Sequence, residues 1–214
     1  MPRGGLGASD YIGIMSDRTG DSDIFRKHGG FEKLLSYQVA ELLYDITVRF
    51  TQRYIEPGSR TRDQMDQAAR SGSRNIAEGS VFSATSKKIE MNLTNVARAS
   101  LVELKKDYAA FLRQKKLALW PIPDPIRQEL IDARFKTADE VAQWGAHVHK
   151  RAPERTSAEI AGNIGHVYCM VAIGLLDRQL VTLAREFKEG GGFGERLHKA
   201  RSQARGQGKE PPGQ

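Results

Sequence analysis

The stretch that constrains this chain most is residues 64–79, QMDQAARSGSRNIAEG. Placed on a helix, Met65, Ala68, Ala69, Gly72, Ile76 and Gly79 recur at i, i+3/i+4, i+7, i+11 and i+14 and draw one continuous stripe. Small residues dominate it. Such a face does not fill a core by bulk; it lets neighbouring helix backbones come close. The opposite face carries Asp63, Asp66, Arg70 and Arg74, and Asp66 with Arg70 has the i,i+4 spacing of an ion pair. Asn75 and Glu78 lie beside the apolar stripe, three apart and so on one side. Gly79 stands where a helix C′ residue takes positive φ. The expectation is a tightly packed second helix of an all-α bundle. No nucleophile, paired base or metal ligand accompanies Asn75 and Glu78, so no catalytic role is expected of them.

The rest of the chain supplies the other helices. Leu35, Val39, Leu42, Ile46 and Phe50 recur at steps of four, three, four and four, which predicts a first helix from Phe31 to about Tyr54. Pro57-Gly58-Ser59 is a turn. The second helix is expected from about Thr61 to Glu78, with residues 81–85 linking to a third. Thr85 or Ser86 caps that third helix. Its predicted stripe is Ile89, Leu93, Val96, Ser100, Leu104, Tyr108, Phe111 and Leu112, with Arg98, Lys105 and Lys106 turned to solvent. Trp120-Pro121-Ile122-Pro123-Asp124-Pro125 cannot continue a helix. It opens an insertion over residues 120–155. Within it Ile126 to Phe135 is a short helix, and Thr137 with Glu140 is a capping box before Val141, Trp144 and Val148. His147 and His149, two apart, point away from each other and make a poor metal pair. A fourth helix, capped by Thr156 or Ser157, keeps bundle periodicity from Ile160 to Phe187. Gly162, Gly165 and Gly174 inside it cost helix propensity and imply close helix contacts. Asp177 and Arg178, late in that helix, fit either an interfacial ion pair or simple exposure.

The ends differ from the middle. Residues 1–30 are rich in Gly, Asp and Ser, have no sustained period and read as a disordered leader, with Met15 an alternative start. Gly190-Gly191-Gly192 closes the fourth helix. Phe193 is expected to anchor on the bundle, and Arg196, Lys199, Arg201 and Arg205 to lie on a short basic helix before a disordered end. The expected organisation is therefore a leader over 1–30, a bundle over 31–190 and a basic suffix and tail over 191–214. The expected fold is an antiparallel up-and-down four-helix bundle with a helical insertion before the last helix and a short C-terminal extension.

The run RSGSRNIAEG, with Gln64 and Ala68-Ala69 before it, resembles the signature of four-helix bundle proteins related to the ribosomal-RNA intervening-sequence protein. That family includes the accessory variability protein of diversity-generating retroelements. The similarity extends to Ser86-Lys87-Lys88, Ser100-Leu101 and Glu103-Leu104. GGFEKLLSYQVAELLYD (residues 29–45), LLDRQL (175–180) and EGGGFGERLHKARSQAR (189–205) resemble the subgroup with a C-terminal suffix. Gly72 and Ser73 stand where many relatives have an apolar residue and a proline. The resemblance implies a pentameric ring with basic surfaces; composition alone does not supply the number five.

Charge is 33 basic against 26 acidic residues, a net +7. That balance favours an acidic partner, DNA or RNA, or an enzyme acting on it. The candidate contacts are Arg70, Arg74, Lys105, Lys106, Arg196, Lys199, Arg201 and Arg205, and the candidate packing and assembly residues are Ala68, Ala69, Gly72, Asn75, Ile76, Glu78 and Gly79. The expected partners are the chain itself, nucleic acid and a nucleic-acid enzyme, and no membrane, because the longest apolar run is broken by Gly174 and ended by Asp177. With no secretory signal and a single cysteine, Cys169, expected buried and inert, the expected compartment is the cytoplasm. No phosphate-cradling loop, metal cluster or triad can be assembled, so neither a cofactor nor an enzymatic activity is expected. The alternative function is a structural scaffold or a protein adaptor docking through the suffix.

Overall fold

A computed structural model of the chain describes residues 30–190, together with Ser202. The regular elements among the described residues are all helices, with no strand. A single 3-10 turn, Phe31–Lys33, precedes α1 (Leu35–Tyr54), α2 (Arg60–Phe82), α3 (Lys87–Gln114), α4 (Pro125–Ala133), α5 (Ala138–Arg151) and α6 (Ser157–Gly190). The leader before Gly30 and the suffix residues Phe193, Arg196, Lys199, Arg201 and Arg205 lie outside the described residues.

Most starts are set by a polar side chain. Ser59 accepts from the Thr61 amide, Ser86 from Ile89, Asp124 from Ile126 and Arg127, and Thr156 from Glu159. The capping box at Thr137 and Glu140 is complete in both directions. The turn between α1 and α2 needs positive φ, and Gly58 takes it at +78°.

Each of the four long helices packs extensively on two others: α1 and α3 both lie against α2 and α6. Shorter α4 and α5 pack on α6, and α5 touches α1 only lightly. The small residues act where helices cross. A Cβ on Gly72 would fall 2.4 Å from Leu101 Cδ2, one on Gly162 2.8 Å from Leu112 Cδ2, and one on Gly165 2.1 Å from Tyr108 Cζ. Gly174 has no such neighbour, its nearest being the Arg178 side chain at 3.8 Å, so close contact does not explain it. The insertion is tied down by Asn163, fully buried in α6. Its amide donates to the Ala118 and Glu159 carbonyls, and its oxygen accepts from the Trp120 amide.

Several expectations shift. Gly79 is not a C′ residue: α2 runs on to Phe82, and a Cβ on Gly79 would sit 3.3 Å from the Glu90 carbonyl oxygen and from Leu93 Cβ. It is a close-approach glycine against α3. The N-terminal half of α3 is rotated relative to the predicted stripe. Glu90, Thr94, Ala97 and Leu101 face inward, while Ile89 and Val96 are 41% and 47% exposed. Glu90 tolerates burial because Lys87 Nζ reaches it at 2.8 Å and also reaches Glu186 of α6 at 3.1 Å. In α1, Leu35 is exposed and Ser36 is buried, its hydroxyl donating to Gln179 of α6 at 2.8 Å. Asp66 forms no ion pair with Arg70; it turns to α1 and accepts from Thr51 Oγ1 at 2.7 Å. Asp177 pairs with Arg98 of α3 at a partly exposed helix contact.

One expectation about membranes is also corrected. Over Ser157–Glu189, α6 is long and apolar enough to cross a bilayer, with mean hydropathy 1.5. The same helix buries Ile160, Ile164, Val167, Cys169, Ala172 and Leu176 among the other helices and carries Asn163 into the core. Core helices pass the length and composition test too.

Candidate nucleic-acid interface

The candidate cations do not share a surface. Arg70 and Arg74 are exposed on α2, with Arg74 turned toward Glu41 of α1 at 4.0 Å. Lys106 lines a groove between α2 and α3 beside Glu103, Asp107 and Asp63, an acidic setting. Desolvation, then the Glu103 charge, raises the Asp107 pKa there. Lys105 lies on the α6 side of α3, where its charge acts on His166. The packing residues fare better: Ala69, Gly72, Ile76 and Gly79 are buried and Ala68 half-buried. Asn75 bonds back to the Ser71 carbonyl and hydroxyl, and Ser71 pairs with Ser100 of α3 at 3.0 Å, whereas Glu78 is exposed.

A basic surface does exist, at the end of the molecule where α1 and α3 finish and α2 begins. Phe50 and Tyr54 of α1 place their rings 4.8 and 6.3 Å from Phe111 of α3, holding the two helix ends together. Arg60 lines the same groove as Lys106 and Asp107, so α2 starts beside the last turns of α3. Arg53, Arg60, Arg62, Arg113, Lys115 and Lys116 therefore gather at one end, where the acids are Glu56 of the α1–α2 turn, Asp63 at the start of α2, and Glu103 and Asp107 in the groove that Arg60 shares. None of the six has a carboxylate partner among the described residues. Arg53 instead lies 5.6 Å from the Tyr54 ring centroid.

Local helix chemistry accounts for only half of this cluster. Cations at the ends of α1 and α3 favour the partial negative charge there, which explains Arg53, Arg113 and Lys115. Arg60 and Arg62 occupy the first turn of α2, where the same dipole disfavours them. Lys116 adds a second oddity. The chain leaves α3 in a Schellman turn, with Leu117 N–H donating to the Leu112 carbonyl at 2.8 Å and Lys116 N–H to Arg113 at 3.1 Å. The left-handed position of that turn, usually glycine, is filled by Lys116 at φ 56°. Arg134 takes the same left-handed conformation at the end of α4, at φ 49°, so the feature peculiar to this end is the pair of arginines set against the α2 dipole.

The sequence signal was present in Arg113-Gln114-Lys115-Lys116 and in Arg60-Thr61-Arg62, each flanking a turn. Only tertiary packing brings the two together.

Elsewhere the titrating groups are structural. Burial pushes the Cys169 thiol far above its ordinary value and leaves it fully enclosed. Burial also tends to raise Asp124. The amide of Arg127, the Arg155 guanidinium at 3.2 Å and the amide of Ile126 outweigh it and hold the carboxyl below its usual value. No group of three or more potential metal ligands occurs among the described residues.

No family model matches the chain, and comparisons with curated proteins and with solved structures return no significant match.

Proposed function

We propose that the chain is a non-enzymatic, self-associating module, cytoplasmic and free of cofactors, that binds nucleic acid by charge through the Arg60–Lys116 end. The observation that carries this reading is the placement of Arg60 and Arg62 against the α2 dipole, facing a second set of unpaired cations at the end of α3. Stability gains nothing from that placement, whereas a polyanion gains from both the side chains and the positive end of the α2 dipole. The mode is backbone recognition: phosphate contacts supply affinity without reading bases, so DNA and RNA are both accepted. The basic suffix, Arg196 to Arg205, adds to the same interaction, and Arg70, Arg74, Lys105 and Lys106 are secondary contacts.

The fold proposed with it is an antiparallel up-and-down four-helix bundle of α1, α2, α3 and α6, with α4 and α5 as the insertion, a member of the intervening-sequence-protein-like family. Support comes from the cyclic pairing of the four long helices and from contacts between opposite helix ends, such as Ser36 with Gln179 and Lys87 with Glu186. Self-association, by the resemblance a ring of five, is supported by exposed apolar side chains. Leu35, Val81, Ile89, Val96, Val181 and Phe187 lie at the start of α1, the end of α2, the first half of α3 and the end of α6. The contacts just named bring those helix ends together, and large exposed apolar surfaces at one place mark interfaces.

A labelled duplex titrated with the protein at low salt, followed by fluorescence anisotropy, tests the binding. Salt-sensitive binding supports the module. No binding by the associated protein leaves the scaffold or adaptor reading in its place.

A further inference from the structure

A cleft of about 530 Å³ opens between α1, α5 and α6. Its size falls in the range of small-molecule sites, roughly 300–1,000 Å³. It exists because α5 is fastened to α6 but touches α1 only lightly. Gly145 helps to keep it open: a Cβ there would meet only Ile164 at 3.4 Å and Ile160 at 3.6 Å. The floor is apolar, built from Ile46, Phe50, Val141, Ile160 and Ile164.

The charged lining has one sign. Arg49, Arg53, His149 and Lys150 border the cleft, and no Asp or Glu does. Arg49 is already neutralised by Asp139, which it meets at 2.6 Å across the α1–α5 gap. His149 is held by its Nδ1 contact with the Arg155 carbonyl at 2.8 Å. Arg53 and Lys150 have no carboxylate partner among the described residues. They stand in the last turns of α1 and α5, beside Ser157 at the start of α6, so the unneutralised charge collects at one mouth of an otherwise apolar slot.

An apolar slot with a dicationic mouth complements one ligand shape: an acidic head on a single hydrocarbon chain. We propose that the cleft binds a medium-chain carboxylate, its head on Arg53 and Lys150 and its chain along Phe50, Ile160 and Ile164. The guanidinium fork of Arg53 matches a carboxylate, and the apolar floor takes the hydrocarbon chain out of water. A cationic amphiphile would be repelled at the mouth.

Isothermal titration of the full chain with dodecanoate, kept below its micellar concentration, tests this. The expected result is saturable binding of one dodecanoate per chain, with dodecan-1-ol clearly weaker. Arg53→Glu with Lys150→Glu should weaken it at least about tenfold, a loss of ~1.4 kcal/mol. Gly145→Phe should fill the slot and abolish binding, while thermal melting and low-salt affinity for nucleic acid stay unchanged. Should Gly145→Phe fail to fold, Ala146→Trp on the exposed flank blocks the same slot. Absence of saturable binding by the unaltered chain, equal affinity for the alcohol, or full binding by a folded slot-filling variant would each overturn the proposal.

Discussion

The phenol of Tyr108 donates to Thr47 Oγ1 at 3.0 Å, fully buried between α3 and α1. Thr47 in turn donates to the Leu43 carbonyl at 2.7 Å, so neither hydroxyl is left unpaired. Above the ring sits Gly165 of α6, with no room for a methyl group. Burial drives the Tyr108 pKa well above its ordinary value, so the donor persists at any pH the fold tolerates. Three helices thus meet at one side chain. Tyr108→Phe should cost about 1 kcal/mol, the net worth of one hydrogen bond, because Thr47 keeps its other partner. Gly165→Ala should cost more, about 1–3 kcal/mol, because the ring has nowhere to go. Urea denaturation of the two variants gives the order directly.

Acid should destabilise the protein through His166. Burial, then the charges of Lys105 and Arg127, lowers its pKa from 6.5 to about 4. The unfolded chain therefore binds the extra proton first as pH falls. Stability from this group is complete above about pH 6.5 and is lost as pH drops toward 4. His166→Gln should flatten the stability profile between those values in thermal melts across pH. An unchanged slope would assign the acid sensitivity to other groups.

The exposed apolar side chains of α3 should drive association. Ile89→Lys with Val96→Lys removes nothing from the core and should shift light scattering from an assembly near five times 23.8 kDa toward the single chain. A single chain for the unaltered protein across micromolar concentrations would refute association.

Much of this fold was legible in periodicity and punctuation. Pro57-Gly58-Ser59, the Thr137–Glu140 box and the proline run after Trp120 mark real boundaries, because each acts through local backbone chemistry. The phase of α3 was not legible. Its buried Glu90 is acceptable only beside Lys87, and Ile89 is exposed only because of how the helix docks. Gly79 misled for a related reason: local rules favour a cap, and only the approach of α3 explains the residue. The basic end stayed hidden because Arg60, Arg62, Arg113 and Lys116 belong to two separate turns, and sequence distance gives no hint that Phe111 packs on Tyr54.

Lys116 connects stability with binding. Relieving its left-handed backbone with Lys116→Gly should stabilise the fold by up to about 1 kcal/mol, since an L side chain there costs about 1–2 and glycine's unfolded-state entropy offsets part of it. The same change takes one cation away from the phosphates. A variant that melts higher but binds duplex less well would separate the two roles of this residue.

Nucleic acid should bind by charge at the Arg60–Lys116 end, and the direct measurement is the slope of log affinity against log salt. It is read from about 50 to 200 mM for a short duplex and the associated protein. Arg60→Glu, Arg62→Glu and Lys115→Glu together should weaken binding and reduce that slope by about three, one for each phosphate no longer neutralised. Arg70→Glu with Arg74→Glu should change it little. If the triple variant, still associated, keeps the slope and affinity of the unaltered protein, the basic end is not where nucleic acid binds.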